Sequence, residues 1–279
     1  MRAFTWSMVM ANRLALTGGL ILAFFAVAAL FAPWLAPRDP YEIVPASMLA
    51  TPGAEHWLGA DQLGRDLFSR MMYGARISFH VGLVAVGIAL TAGTLLGVAA
   101  GYLGGWVDAV ISRIVDTLFS IPDILLALAV MAVLGPDLTN VMLAIGIVYT
   151  PIFARIARGS TLEVKQRLFI EAARSIGSTH ATIVFRHILP AISAPLMIQA
   201  SLSFAFAILA EAALSFLGFG VEPDTPSWGI LLNQGKDLMD RAWWLAVFPG
   251  LAITLAVFSF NVVGDGLRDA LDPRVVKGT

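Results

Sequence analysis

The side chains that could do chemistry are few and far apart. Four histidines stand at His56, His80, His180 and His187, and there is no cysteine. Disulfides, thiol catalysis and thiolate metal sites are therefore excluded, and no metal site is expected. No H-E-x-x-H run and no nucleophile–base constellation is present, which leaves an intramembrane enzyme without a motif. The nearest approach to a nucleotide loop is Gly229-Ile-Leu-Leu-Asn-Gln-Gly235-Lys236-Asp237. A phosphate-cradling loop needs four residues between its glycines and Ser or Thr after the lysine. Five intervene here and Asp237 takes the last place, so any ATP hydrolysis must belong to a partner.

The ionisable residues near apolar runs are His80, Asp123, Glu211 and Asp265. Each would cost about 2.5–3.5 kcal/mol at mid-bilayer. All four fall near the ends of apolar runs, where water is in reach and interfacial or capping roles compete with functional ones. Asp123 and Glu211 are the candidates for residues along a solute pathway. A carrier driven by protons or sodium needs an acidic group or broken helices at the midplane. None is clear, which makes an ion-coupled secondary carrier the weaker alternative.

The elements that must position these residues are membrane spans. The chain is 58% hydrophobic and 13% charged, against about 25% charged in a soluble domain. A net charge of −1 without a basic stripe gives nothing to bind nucleic acid. About 20 apolar residues cross a bilayer. Runs at 14–36, 78–101, 191–213 and 242–264 qualify. The central block is too long for one helix and carries the turn signature Leu134-Gly135-Pro136-Asp137, which splits it into spans at 117–135 and 138–154. The first run is too long for a signal-peptide core and reads as a retained helix. The expectation is an all-α polytopic membrane protein with six transmembrane helices.

Six spans put both termini on one side. Residues 1–13, the segment after the second span, the 155–190 loop and the tail 265–279 then hold twelve Lys and Arg, among them Arg155, Arg158, Arg174 and Arg268. The 37–77 and 214–241 loops hold six. The positive-inside rule makes the first set cytoplasmic and the loops at 37–77 and 214–241 extracytoplasmic. Within the first outer loop Leu63, Leu67, Met71 and Ala75 predict a surface-lying amphipathic helix with Asp61 as its N-cap. Trp228 in the second outer loop reads as an interfacial anchor, ahead of a docking role. The second span carries Gly93, Gly97 and Gly101 at GxxxG spacing, with Gly82 three helical turns earlier on the same face. Such a stripe is a helix-packing ridge, or else a smooth wall along a translocation path.

The most polar, best-punctuated stretch is Glu171–Pro190, EAARSIGSTHATIVFRHILP. Phe169, Ala172, Ala173 and Ile176 recur at helical spacing, while Lys165, Arg167, Glu171 and Arg174 can face water. Gly177 suits the left-handed residue after a helix, Ser178 or Thr179 can cap a second helix, and Pro190 opens the next span. The product is a cytoplasmic helix–turn–helix. Its alanine strip suits docking against protein better than resting on lipid.

Glu171-Ala172-Ala173, then Gly177, then Ile188-Leu189-Pro190 resembles the EAA loop of ABC importer permeases. His56-Trp57-Leu58-Gly59, Leu63-Gly64-Arg65-Asp66, Tyr73-Gly74-Ala75-Arg76-Ile77-Ser78, Glu211-Ala212-Ala213-Leu214-Ser215-Phe216-Leu217-Gly218 and Gly264-Asp265-Gly266-Leu267-Arg268-Asp269 extend the likeness over nearly the whole chain. The chain is similar to C-type permease subunits of dipeptide, oligopeptide and nickel importers. One departure is Leu168-Phe169-Ile170 before the glutamate, where an acidic or aromatic-Val pattern is usual. The resemblance implies the type I importer permease fold, with its transmembrane domain over roughly 76–265, in a bacterial inner membrane. It implies that Glu171, Ala172, Ala173 and Gly177 form an ATPase-contacting turn whose exit is fixed by His187, Leu189 and Pro190. It implies a homologous second permease, two cytoplasmic ATPase subunits and an extracytoplasmic solute-binding protein as partners. ATP and magnesium are then used by those ATPases, with no cofactor bound by this chain.

Overall fold

The computed structural model describes residues 13–220, 222 and 224–271. The remaining tail positions, including the basic residues at 2, 274 and 277, lie outside the described residues. Among the described residues the helices are α1 Arg13–Leu30, α2 Ala32–Leu35, α3 Leu67–Leu103, α4 Gly105–Phe119, α5 Asp123–Leu134, α6 Leu138–Lys165, α7 Leu168–Ser175, α8 His180–Thr182, α9 Leu189–Phe216, α10 Trp228–Lys236 and α11 Trp244–Leu271. A π-helical turn, Ile183–Ile188, joins α8 to α9, so His180–Phe216 is one 37-residue rod. With α1, α3, α6 and α11 it makes five helices long and apolar enough to cross a bilayer. The pair α4 and α5, bent by 94°, is together apolar enough to make a sixth, broken crossing. Among the described residues the protein is thus an all-helical membrane protein, with five helices long enough to span and a sixth crossing where the bent pair counts as one.

Three boundaries differ from the sequence expectation, each for a local reason. The third span is not a straight helix over 117–135. Residues 117–119 finish α4, and Pro122 sits at the bend before α5. Proline has no N–H to donate and bars its predecessor from helical geometry. The 12 residues of α5 reach about 18 Å, short of a core about 30 Å thick, so the crossing needs part of α4.

The second span does not begin at 78. A separate surface helix does not exist, because α3 runs unbroken for 37 residues from Leu67. Its N-cap is Asp66, not Asp61, and Asp66 Oδ2 accepts from the Ser69 N–H at 2.8 Å. Gly64, at φ +75°, turns the chain just before it, and a Cβ there would lie 1.9 Å from the Val44 carbonyl oxygen. The loop after the fourth span also starts later than 155, because α6 continues to Lys165. At its other end α6 is capped by Asp137, which accepts from the Thr139 N–H at 2.7 Å. That backbone hydrogen bond holds the Asp137 carboxyl below the ordinary carboxylate range.

The glycine stripe of α3 lies against α6. A Cβ on Gly93 would come within 2.6 Å of the Thr150 carbonyl oxygen, and one on Gly97 within 2.3 Å of that of Ala154. One on Gly101 would meet the Arg158 carbonyl oxygen at 2.9 Å. Close backbone approach through small residues supplies van der Waals packing where lipid offers no hydrophobic drive. Gly82 shares the face, but there α9 has replaced α6 as the neighbour, and Phe204 fills the space at 2.6 Å from the position of its Cβ.

Candidate functional site: an elbow between two spans and a buried-charge cap

At the end of the bundle where α3 finishes, the chain leaves α6 and forms an elbow. Helix α7 buries Ile170 and Ala173 against the bundle. Leu168, Phe169, Ala172 and Ile176 point away and are exposed. The strip expected from Phe169, Ala172, Ala173 and Ile176 is therefore split, with only Ala173 turned inward. Glu171 lies in the first turn of α7 and Arg174 in the last, each at the end its charge favours. After α7 the Ser178 N–H donates to the Ala173 carbonyl at 3.0 Å, with Gly177 at φ +78°. This is a glycine-terminated helix end. A Cβ on Gly177 would meet nothing within 4 Å, so glycine serves the backbone angle there rather than clearance. Of the two candidate caps Thr179 is used, accepting from the Thr182 N–H at 3.2 Å.

The exit from the elbow is the π turn. It buries Ile183 and Ile188 and stands His187 beside Phe169, ring centroids 6.2 Å apart. Leu189 and Pro190 follow the π turn and begin α9, with the proline in its first turn. Contacts that the sequence does not reveal fasten the elbow to α3. Lys165 Nζ donates to the Tyr102 carbonyl at 2.7 Å, so it does not face water as expected. The Tyr102 hydroxyl is 2.7 Å from His180 Nδ1. On the opposite flank Arg158 holds Asp108 of α4 through two contacts, at 2.5 and 2.7 Å.

At the other end, residues 37–66 and α10 form a cap over the bundle. Asp61 is its hub. Its carboxylate accepts from the N–H groups of Leu63 at 2.8 Å and Arg65 at 2.9 Å, and from Arg65 Nε at 2.6 Å. It also pairs with the fully buried Arg70 at 3.3 Å. His56 Nδ1 and Asp66 Oδ1 are 2.8 Å apart, both buried. The Asp61–Arg65 spacing of four was the available sequence signal for this cluster.

Trp228 is neither anchor nor docking residue. It is buried, donates from Nε1 to the Met71 carbonyl at 3.1 Å, and covers Gly74, where a Cβ would lie 2.8 Å away. The near-miss nucleotide loop is the helix α10. Glu211 is not within reach of water. It is fully buried, accepts from Ser78 at 3.1 Å and Ser215 at 2.8 Å, and is also bonded by Ser227. These serines join α9 to α3 and to the start of α10. Asp123 is exposed and lines a cavity of about 250 Å³ with Tyr149, Phe206 and Ala213. Among the described residues no group of His, Asp and Glu is placed to hold a metal.

Residues 93–277 match the family model described as binding-protein-dependent transport system inner membrane component. Residues 4–52 match the N-terminal transmembrane domain of oligopeptide transport permease C. A dipeptide transport system permease protein of Alkalihalophilus pseudofirmus is 47% identical over 264 residues, 95% of this chain and 87% of that one. A glutathione transport system permease protein of Escherichia coli O6:K15:H31 is 47% identical over 271 residues, 97% and 89% of the two chains. Among solved structures, a chain of the MetNI methionine ABC transporter in an inward-facing conformation matches with a TM-score of 0.57 at 21% identity, over 74% of this chain and 96% of that one. The helical bundle has the type I ABC importer fold. This multi-pass inner membrane protein therefore belongs to the family of binding-protein-dependent transport system inner membrane components, among the C-type ABC permeases.

Proposed function

We propose that this chain forms half of a translocation pore for peptides or a related small solute and couples it to a separate ATPase through the elbow. The other half is a homologous second permease. Two ABC ATPase subunits grip the elbow end in the cytoplasm, and an extracytoplasmic solute-binding protein delivers the solute to the cap end. Both termini are cytoplasmic in this arrangement. ATP and magnesium are consumed by the partner subunits, and this chain is non-catalytic. Relatives named for dipeptide and glutathione transport support a peptide-like solute. The resemblance extends that class to oligopeptides and nickel.

One observation carries the coupling role. A short helix beyond the long crossings buries one apolar edge and presents another, with Leu168, Ala172 and Ile176 exposed and Phe169 beside His187. Its far end is set by a glycine whose angle other residues rarely adopt. Asp123 is the candidate pathway residue, since it is exposed at the bend of the broken crossing and faces a cavity. Glu211, sealed among serines, fits a structural tie better.

Gly177→Leu tests the reading. The left-handed angle costs a side-chain-bearing residue about 1–2 kcal/mol, so the elbow should tilt while the spans still insert. Binding-protein-stimulated ATP hydrolysis of the reconstituted complex should fall. Stimulation equal to wild type would count against the coupling role.

A further inference from the structure

We infer that Tyr102 is a positioning residue that fastens both arms of the elbow to the last turn of α3, so that movement of α7 is delivered to that span. The inference rests on the coupling role proposed above for α7 and adds the route by which it acts.

The two arms are eight residues of helix and a glycine turn apart, yet both end on one residue. Lys165, the last residue of α6, donates to the Tyr102 carbonyl at 2.7 Å and to that of Gly101 at 3.4 Å. These carbonyls belong to the final turn of α3, which lacks intrahelical donors. The ammonium group also lies 5.8 Å from the centre of the Tyr102 ring. His180, the first residue of α8, meets the Tyr102 hydroxyl at 2.7 Å, with the two rings edge to face at 5.7 Å. Before α7 the backbone of Tyr102 is held, and after it the side chain.

The packing beneath makes these contacts matter. On the Lys165 side, α3 and α6 are already locked along the glycine seam, so that arm cannot slide freely. On the His180 side the walls do not close. An apolar crevice of about 310 Å³ separates α3 from the rod that begins at His180, lined by Leu95, Val98, Leu103, Ala181, Val184 and Phe185. Tyr102 and His180 both line that crevice, so the contact between them bridges its two walls. Just beyond it lies the π turn, a form often found at functional sites. A load on α7 is thus taken up at Tyr102 before it reaches α9.

The test uses the assembled transporter with spin labels at Leu103→Cys and Ala181→Cys, facing the crevice from both walls. The absence of native cysteine keeps this chain free of stray labels, and the partner subunits are used in cysteine-free form. With Tyr102 intact, the label separation should stay constant between nucleotide-free and ATP-trapped complexes. In Tyr102→Phe it should change with nucleotide, and the ratio of stimulated to basal hydrolysis should drop about fivefold, the equilibrium weight of one hydrogen bond. A ratio unchanged in Tyr102→Phe, or one that drops while the separation stays constant, overturns the inference. Ile176→Asp, on the exposed edge of α7, separates the two readings. If it abolishes stimulation while Tyr102→Phe does not, the coupling role stands and the route through Tyr102 is wrong. If neither variant alters stimulation, the coupling role itself falls.

Discussion

The exposed edge of α7 allows a quantitative prediction. Ile176 is 83% exposed and Leu168 81%, on a helix too short to be stable alone. Fully burying such a side chain is worth about 1.5–3 kcal/mol. If Ile176 enters a cleft on the ATPase, about four-fifths of that gain is realised on docking, roughly 2 kcal/mol. Ile176→Asp removes this gain and places a charge in an apolar contact, so binding of the ATPase should weaken about 30-fold or more. The free chain should be unaffected within about 0.5 kcal/mol, because the position faces solvent there. The assay is a titration of purified ATPase subunits onto proteoliposomes holding both permeases, with thermal unfolding of the free pair as control. Affinity within twofold of wild type would falsify the docking assignment, whatever happens to transport.

The remaining predictions concern the scaffold and the path. Asp61→Ala should destabilise the cap by about 3–5 kcal/mol, since it leaves buried Arg65 only the exposed Asp224 and buried Arg70 only the neutral Gln234. Hydrogen exchange across residues 50–66 reads this, and wild-type protection there would refute it. Gly97→Ala should cost about 1–3 kcal/mol by forcing α3 from α6, whereas Gly87→Ala, which meets nothing within 4 Å, should be near neutral. Equal melting temperatures for the two variants would remove the packing role of the seam. Asp123→Asn should alter transport of solutes carrying a free amine while leaving ATPase binding intact, and unaltered uptake would exclude it from the pathway. Reporter fusions at Thr279 should be active only as cytoplasmic reporters, and the opposite pattern would invert the topology.

Much of this architecture could be read from residue order, and the failures have physical causes. The spans followed from apolar length, the seam from GxxxG spacing, and the elbow's turn from a glycine in a polar stretch. The start of α3 was misplaced because DQLGRD holds two aspartates that could cap it. The choice depends on the backbone sign at Gly64, which sets the turn and is not a property of either carboxylate. Reading one apolar run through 117–135 hides the bend at Pro122, although Arg113 and Asp116 make α4 the more polar side and the proline marks the break. Trp228 and Glu211 were misread for a shared reason. Their partners, Met71 and Gly74 for one and Ser78 for the other, lie more than 130 residues away, and aromatic or acidic character alone does not reveal burial. The split face of α7 was lost because eight residues give too few turns to fix the phase of its pattern.

The cap's hub has one further consequence. Its hold on residues 50–66 comes from enclosed acid–base pairs and not from covalent cross-links, since the chain has no thiol to oxidise. Its assembly is therefore indifferent to whether its surroundings are oxidising or reducing and needs no disulfide-forming helper. Because Asp61 and Arg70 are shut away from water, dissolved ions reach them poorly. The salt content of the surroundings should therefore leave the packing of residues 50–66 unchanged.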